Sequence, residues 1–207
     1  AQAVSGVQPP FARSFDSSTT WPGMALQILV PVADGSEEIE TSCITDVLVR
    51  AGAEVTVASV TASTEVKMAR GLKIRADCLI AECKDKKYDA IACPGGMPGA
   101  EHLRDSEVLT ALLKAQAAEG KVTAAVCASP AVVFSTHGLL GDTATCFPVQ
   151  KFKDVVPGWT DEKVMKTNNI ITSQGPGTSL LFALKIVEAL YGEEKQKELA
   201  KALLVDL

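Results

Sequence analysis

Cys127 lies in "VTAAVCASPAVVF", residues 122–134, between an apolar run and a Pro-punctuated stretch of small residues. The segment Ala125-Val126-Cys127-Ala128-Ser129 has the form small-x-nucleophile-x-small. A nucleophile on a sharp strand-to-helix turn needs small neighbours, because larger side chains would collide there. A cysteine at such a turn meets the free N–H groups and positive end of a helix, which favour the thiolate. The N–H groups of Ala128 and of Gly96, in the "PGG" turn at 94–96, are placed to cradle an oxyanion together. A buried cysteine filling a core gap is the competing reading of Cys127.

A carboxylate is the second candidate. Projected at helical spacing, Glu40 heads an apolar stripe of Ile44, Val47, Leu48 and Ala51. Desolvation on that face should raise its pKa, and a protonated carboxyl can donate a hydrogen bond to a thiolate. Glu38 shares its face with Ser42, Thr45 and Asp46 and reads as solvated, while Glu37 is intermediate. The two histidines offer no partner base. His102 reads as capping or solvating a helix start, and His137 lies at a helix C-terminus, where a cation is favourable anyway.

These residues need a scaffold, and the chain supplies one from residue 25 onward. "LQILVPV" (26–32) reads as a strand buried on both faces, followed by a helix capped at Ser36 and closed by Gly52. Further strands are predicted at 54–60, 73–80, 88–93 and 121–126, with helices over 106–119 and 128–137. Residues 164–173 read as a hairpin around Asn168-Asn169, its second half a candidate for central pairing. Two helices follow "GPGTS". Alternating strands and helices predict a doubly wound, mostly parallel α/β sheet sandwiched by helices, in one domain over 24–207. Ligands bind such sheets at the carboxyl ends of the strands, where all the candidates above fall.

Residues 1–23 are rich in Pro, Ser and Thr without periodicity, and read as a flexible extension or the remnant of a targeting peptide. The net charge of -5, with no basic run, argues against nucleic acid as a partner. No apolar run reaches the roughly 18 residues that a membrane span needs. Six cysteines without a CxxC pair read as reduced thiols, and no metal site is expected. Cytoplasmic placement is the expectation, or an organelle if residues 1–23 are a targeting remnant.

The motifs "GSEEIET", "PGGMPGA", "AAVCASP" and "TSQGPGTS" resemble, in order and spacing, those of the ThiJ/PfpI family, specifically its Parkinsonism-associated deglycase and glyoxalase branch. The likeness covers about residues 25–207. It implies a flavodoxin-like fold, a homodimer, a readily oxidised cysteine at Cys127 and a partner acid at Glu40. It also implies that Gly95, Gly96 and Ala128 line the oxyanion site, and that Arg70 approaches the cysteine pocket across the dimer. Two departures stand out. Cys146-Phe147-Pro148 occupies the place of a Thr-His-Pro segment, so the histidine often proposed as a third catalytic member is absent. Gln174 replaces an arginine before the "GPGTS" turn. The resemblance thus implies a cofactor-independent glyoxalase or deglycase acting on methylglyoxal, glyoxal or their protein adducts through Cys127 and Glu40. The alternative is a redox-sensing, chaperone-like protein whose cysteine cycles to sulfinate. Cys146 enters as a candidate resolving thiol, against a structural role packed under its loop.

Overall fold

The computed structural model describes residues 25–207, so the expected extension at 1–23 lies outside the described residues. The chain opens with β1 (Gln27–Val32), α1 (Glu38–Ala51) and β2 (Glu54–Ser59). A small hairpin, β3 (Glu65–Lys67) and β4 (Lys73–Arg75), precedes the short β5 (Cys78–Leu79) and a 3-10 turn (Ile80–Cys83). Then come β6 (Ala90–Cys93), α2 (Gly99–Asp105), α3 (Glu107–Ala118) and β7 (Val122–Val126). A π-helical segment (Pro130–Ser135), α4 (Gln150–Lys153), β8 (Val164–Thr167) and β9 (Ile170–Ser173) follow. A 3-10 turn (Pro176–Thr178), α5 (Ser179–Tyr191) and α6 (Glu193–Ala202) complete the chain.

The main sheet runs β5-β2-β1-β6-β7-β9-β8, parallel except for β8 at one edge. Period-2 geometry explains why β1 and β6 carry apolar residues toward both faces. Ile28, Val30 and Val32 of β1 point into one core with Ile44, Val47, Leu48, Phe182, Ile186 and Val187. Leu29, between them, enters the opposite core with Ile91, Leu103, Leu109, Leu113 and Phe134. Helices α1, α5 and α6 thus cover one face, and α2, α3 and the π-helical segment the other. The expected doubly wound α/β sandwich is the fold found. The strand order reverses between β1 and β6, which opens a crevice at their carboxyl ends.

Local expectations needed four corrections. The predicted strand at 73–80 is two pieces, since β4 pairs with β3 in a separate sheet while β5 pairs with β2. Ser36 does not cap α1. Its Oγ accepts from Ala33 N–H at 3.0 Å, and Glu37 takes the cap by accepting Glu40 N–H at 2.8 Å. The helix expected over 128–137 is a π-helical segment with Pro130 in its first turn. The helix start expected around His102 is a separate helix, α2, and not the beginning of the helix over 106–119. The 164–173 hairpin forms, and its second half also pairs centrally: β9 lies antiparallel to β8 and parallel to β7.

Candidate active site

Strand β7 ends at Val126, and the chain turns at Cys127 with φ of 63°. That left-handed conformation is rare for a residue with a Cβ, at a cost of about 1–2 kcal/mol. Two backbone bonds hold it in place. Cys127 N–H donates to Ser173 O on β9 at 3.0 Å, and Cys127 O accepts from Phe147 N–H at 2.8 Å. The small neighbours read from sequence are needed as expected, since Ala128 and Ser129 are buried and Ser129 Oγ is tied to Pro94 O at 2.5 Å. A Cβ at Gly95 would fall 2.7 Å from Cys127 Cβ and 2.9 Å from Ala128 N. The two loops therefore meet at backbone distance only because residue 95 is glycine.

Glu40 lies in the first turn of α1 and is completely buried. Its Oε2 accepts from Gly95 N–H at 2.7 Å, while Oε1 is buried without a well-formed hydrogen bond. Removal from water raises its pKa from the ordinary 4.5 to about 7, against the lowering effect of the Gly95 bond and of the Cys127 thiol beside it. Burial also pushes the Cys127 thiol up, and a charged Glu40 adds to this. The N–H groups of Gly96 and Ala128, both directed at the sulfur, act in the opposite sense. The expected easy thiolate is therefore found only conditionally. Two negative charges are unfavourable in this cavity, so the pair loses its first proton near pH 7 and keeps the second well above that. The thiolate form is the one in which Glu40 holds it.

Burial of that carboxyl has a consequence for stability. Glu40 titrates higher in the folded than in the unfolded chain, so its contribution is full below about pH 4.5 and is lost as pH rises through about 7. At 1.36 kcal/mol per pKa unit, ionising it costs about 3 kcal/mol. Glu40→Gln keeps the shape and an acceptor for Gly95 N–H. The variant should be more stable than the parent by about 3 kcal/mol at pH 8 and no more stable at pH 4. Urea melts at both pH values check this.

The remaining candidates separate. Gly96 and Ala128 direct N–H groups at the sulfur, whereas Gly95 N–H serves Glu40 instead. Arg70 sits in the turn between β3 and β4, exposed, with its backbone N–H donating to Glu38 Oε1 at 2.7 Å. Glu38 is therefore engaged and only half-exposed rather than freely solvated. His137 Nε2 bonds Arg104 O at 2.8 Å and lies near Thr110 Oγ1, tying two helices together, and His102 is exposed on α2. Cys146 is fully buried in the second core, where its thiol lies 3.5 Å from the Phe147 carbonyl oxygen.

Phe147 and Gly175 were not singled out from sequence as lining residues. A Cβ at Gly175 would stand 3.3 Å from the Phe147 ring and 3.9 Å from Cys127 Sγ. Gly175 thus lies against the sulfur, with the Phe147 ring packed on the glycine. Gln174, a departure from the arginine of the family pattern, donates to Asp161 at 2.9 Å. No group of three or more His, Cys, Asp or Glu among the described residues is arranged to hold a metal ion.

The model of the DJ-1/PfpI family matches residues 26–189. Protein DJ-1 homolog B of Arabidopsis thaliana is 51% identical over 180 residues, 86% of this chain and 41% of that protein. The chain spans less than half the length of both Arabidopsis relatives, homologs A and B. The glutathione-independent glyoxalase DJR-1.2 of Caenorhabditis elegans is 42% identical over 179 residues, 85% of this chain and 94% of that protein. Oxidized DJ-1 of Toxoplasma gondii superposes with a TM-score of 0.85 at 50% identity, covering 88% of this chain and 100% of that one. No helix among the described residues is long and apolar enough to cross a membrane.

Proposed function

The chain belongs to the DJ-1/PfpI family, and from that premise we propose that it is a cofactor-independent glyoxalase or deglycase acting on methylglyoxal, glyoxal or their protein adducts. The observation that carries this reading is the Cys127–Glu40 pair, a nucleophile fixed on a left-handed turn beside a completely buried carboxyl. The similarity to a relative named as a glutathione-independent glyoxalase supports it.

The geometry suits the following sequence. The Cys127 thiolate adds to the aldehyde carbon of methylglyoxal, and the carbonyl electrons move to oxygen. That oxygen is stabilised by a proton from Glu40 and by the N–H groups of Gly96 and Ala128. Glu40, now ionised, takes the C1 proton, and an enediol forms. Return of the proton to C2 gives a cysteine thioester, which water cleaves to lactate and free Cys127. Substrate and water together have the composition of the product, so no electron carrier is consumed. Glu40 serves as the proton carrier here, with no histidine needed.

A homodimer belongs to the same reading. Arg70 is exposed beside the first turn of α1, and the apolar Ile39 and Leu72 are about half-exposed on either side of the Glu38–Arg70 bond. A second reading, a redox sensor oxidised to Cys127 sulfinate, is favoured by the same N–H groups, which would hold a sulfinate oxygen equally well. Methylglyoxal consumption by protein free of small thiols separates the two. Lactate formation in proportion to protein supports the enzyme, and a rate equal to buffer rejects it.

A further inference from the structure

A pair of thiols lies away from Cys127, at the edge strand β5 and the turn that follows it. Cys78 is half-buried on β5, the edge strand that joins the sheet through only two residue pairs with β2. Cys83 ends the 3-10 turn that follows and is completely buried. Their sulfurs are 3.6 Å apart. The hydroxyl of Tyr88, buried with no well-formed hydrogen bond, interacts with Cys83. Two sulfurs alone do not make a metal centre, and no cluster among the described residues supplies the further ligands.

We propose that Cys78 and Cys83 are a second redox site, a dithiol that a hydroperoxide closes to a disulfide independently of Cys127. The sulfurs must approach by about 1.5 Å to reach the bonded length of about 2.05 Å. The segment that must yield is a two-residue edge strand and a 3-10 turn, among the least constrained parts of the sheet. Cys78 is the entry point because it reaches solvent. Its sulfur attacks the outer peroxide oxygen, the O–O bond breaks, an alcohol or water leaves, and Cys78 becomes a sulfenic acid. Cys83 sulfur then attacks Cys78 sulfur, the S–S bond forms, and the S–O bond breaks with loss of water. Two thiols are oxidised by two electrons and one peroxide is reduced.

The rate has a built-in limit. Burial, then the bond to Cys83, pushes the Cys78 thiol up to about 11, with Lys86 acting weakly in the other direction. Only a small fraction is thiolate at neutral pH, so this pair responds to sustained oxidation and closes faster in mild alkali. Once closed, the bridge ties the edge strand to its own turn. β5 is anchored in turn to β2 through Asp77, whose carboxylate accepts from Val57 N–H at 2.8 Å.

Both cysteines fall in a single tryptic peptide, 76–84, between Arg75 and Lys84. The test uses the wild-type chain and Cys127→Ser, each treated with hydrogen peroxide at pH 8.5, alkylated, digested and weighed. In both proteins the peptide should lose two hydrogens and both alkylation sites, and dithiothreitol should restore them. The bridge should form equally in Cys127→Ser, so its fate is independent of the glyoxalase reading. Sulfinate at Cys78 with Cys83 still alkylated would overturn the proposal. So would an unmodified 76–84 after prolonged exposure to excess peroxide at pH 8.5, or a bridge from either residue to another cysteine.

Discussion

Replacing Cys127 by alanine is expected to lower methylglyoxal turnover by about a thousandfold or more, to the rate of buffer, while leaving the fold intact. Removal of a covalent nucleophile eliminates the route itself rather than one contribution to it, which is why losses of this size are typical. The fold should survive because the unusual φ of 63° is held by backbone bonds to Ser173 and Phe147 that alanine also makes. The Gly96 and Ala128 N–H groups lose only their sulfur partner. A melting temperature within a few degrees of the parent, together with lost turnover, assigns the loss to chemistry. Turnover comparable to the parent would mean that the sulfur is not the attacking atom.

The second large effect is structural. Gly96→Ala should destabilise the protein by about 2–5 kcal/mol, the sum of a positive-φ cost and a clash with backbone. Gly96 has φ of 85°, and a Cβ there would collide with Gly35 O and lie 2.6 Å from Glu37 N. Neither atom is the end of a flexible side chain, so the loop after β6 must move away from the start of α1. For a chain of this size the melting point should fall by about 10 °C. Gly52→Ala isolates the conformational part. Its φ is 98°, but an added Cβ meets nothing within 4 Å, so only about 1 kcal/mol should be lost. Equal losses at the two positions would contradict the close approach on which the site depends.

Residue patterns made most of the scaffold legible. Apolar runs bounded by Gly and Asp gave the central strands, because parallel strands covered on both faces must be apolar on both. Periodicity gave Glu40 its buried position, since a carboxylate on the stripe of Ile44, Val47 and Leu48 has nowhere else to point. The elbow around Cys127 was readable from its small neighbours. What stayed hidden depends on distant segments meeting. Phe147 and Gly175 come to Cys127 because β9 and the loop after Thr145 converge on it, and no local spacing encodes that. The exchange of roles between Ser36 and Glu37 was also hidden, since either side chain can cap a helix and the turn at Ala33 decides which is free. The Cys78–Cys83 approach escaped for a related reason. Their five-residue spacing fits neither a strand face nor an α-helical face, and becomes a contact only where β5 breaks into a 3-10 turn.

The pH dependence of Cys127 alkylation tests the shared proton most directly. Labelling by iodoacetamide, read at the Cys127 peptide, is expected to rise through an apparent midpoint near 7 and then level off. The proton lost in that step comes from the Cys127–Glu40 pair, whose burial holds Glu40 near that value. In Glu40→Gln the step near 7 should vanish and the rise should move to higher pH, because only the buried thiol remains to titrate. Glu40→Asp, which draws the carboxyl back by one methylene, should slow labelling near neutral pH. A wild-type profile with the ordinary thiol midpoint near 8.5, unchanged across the three proteins, would contradict the account.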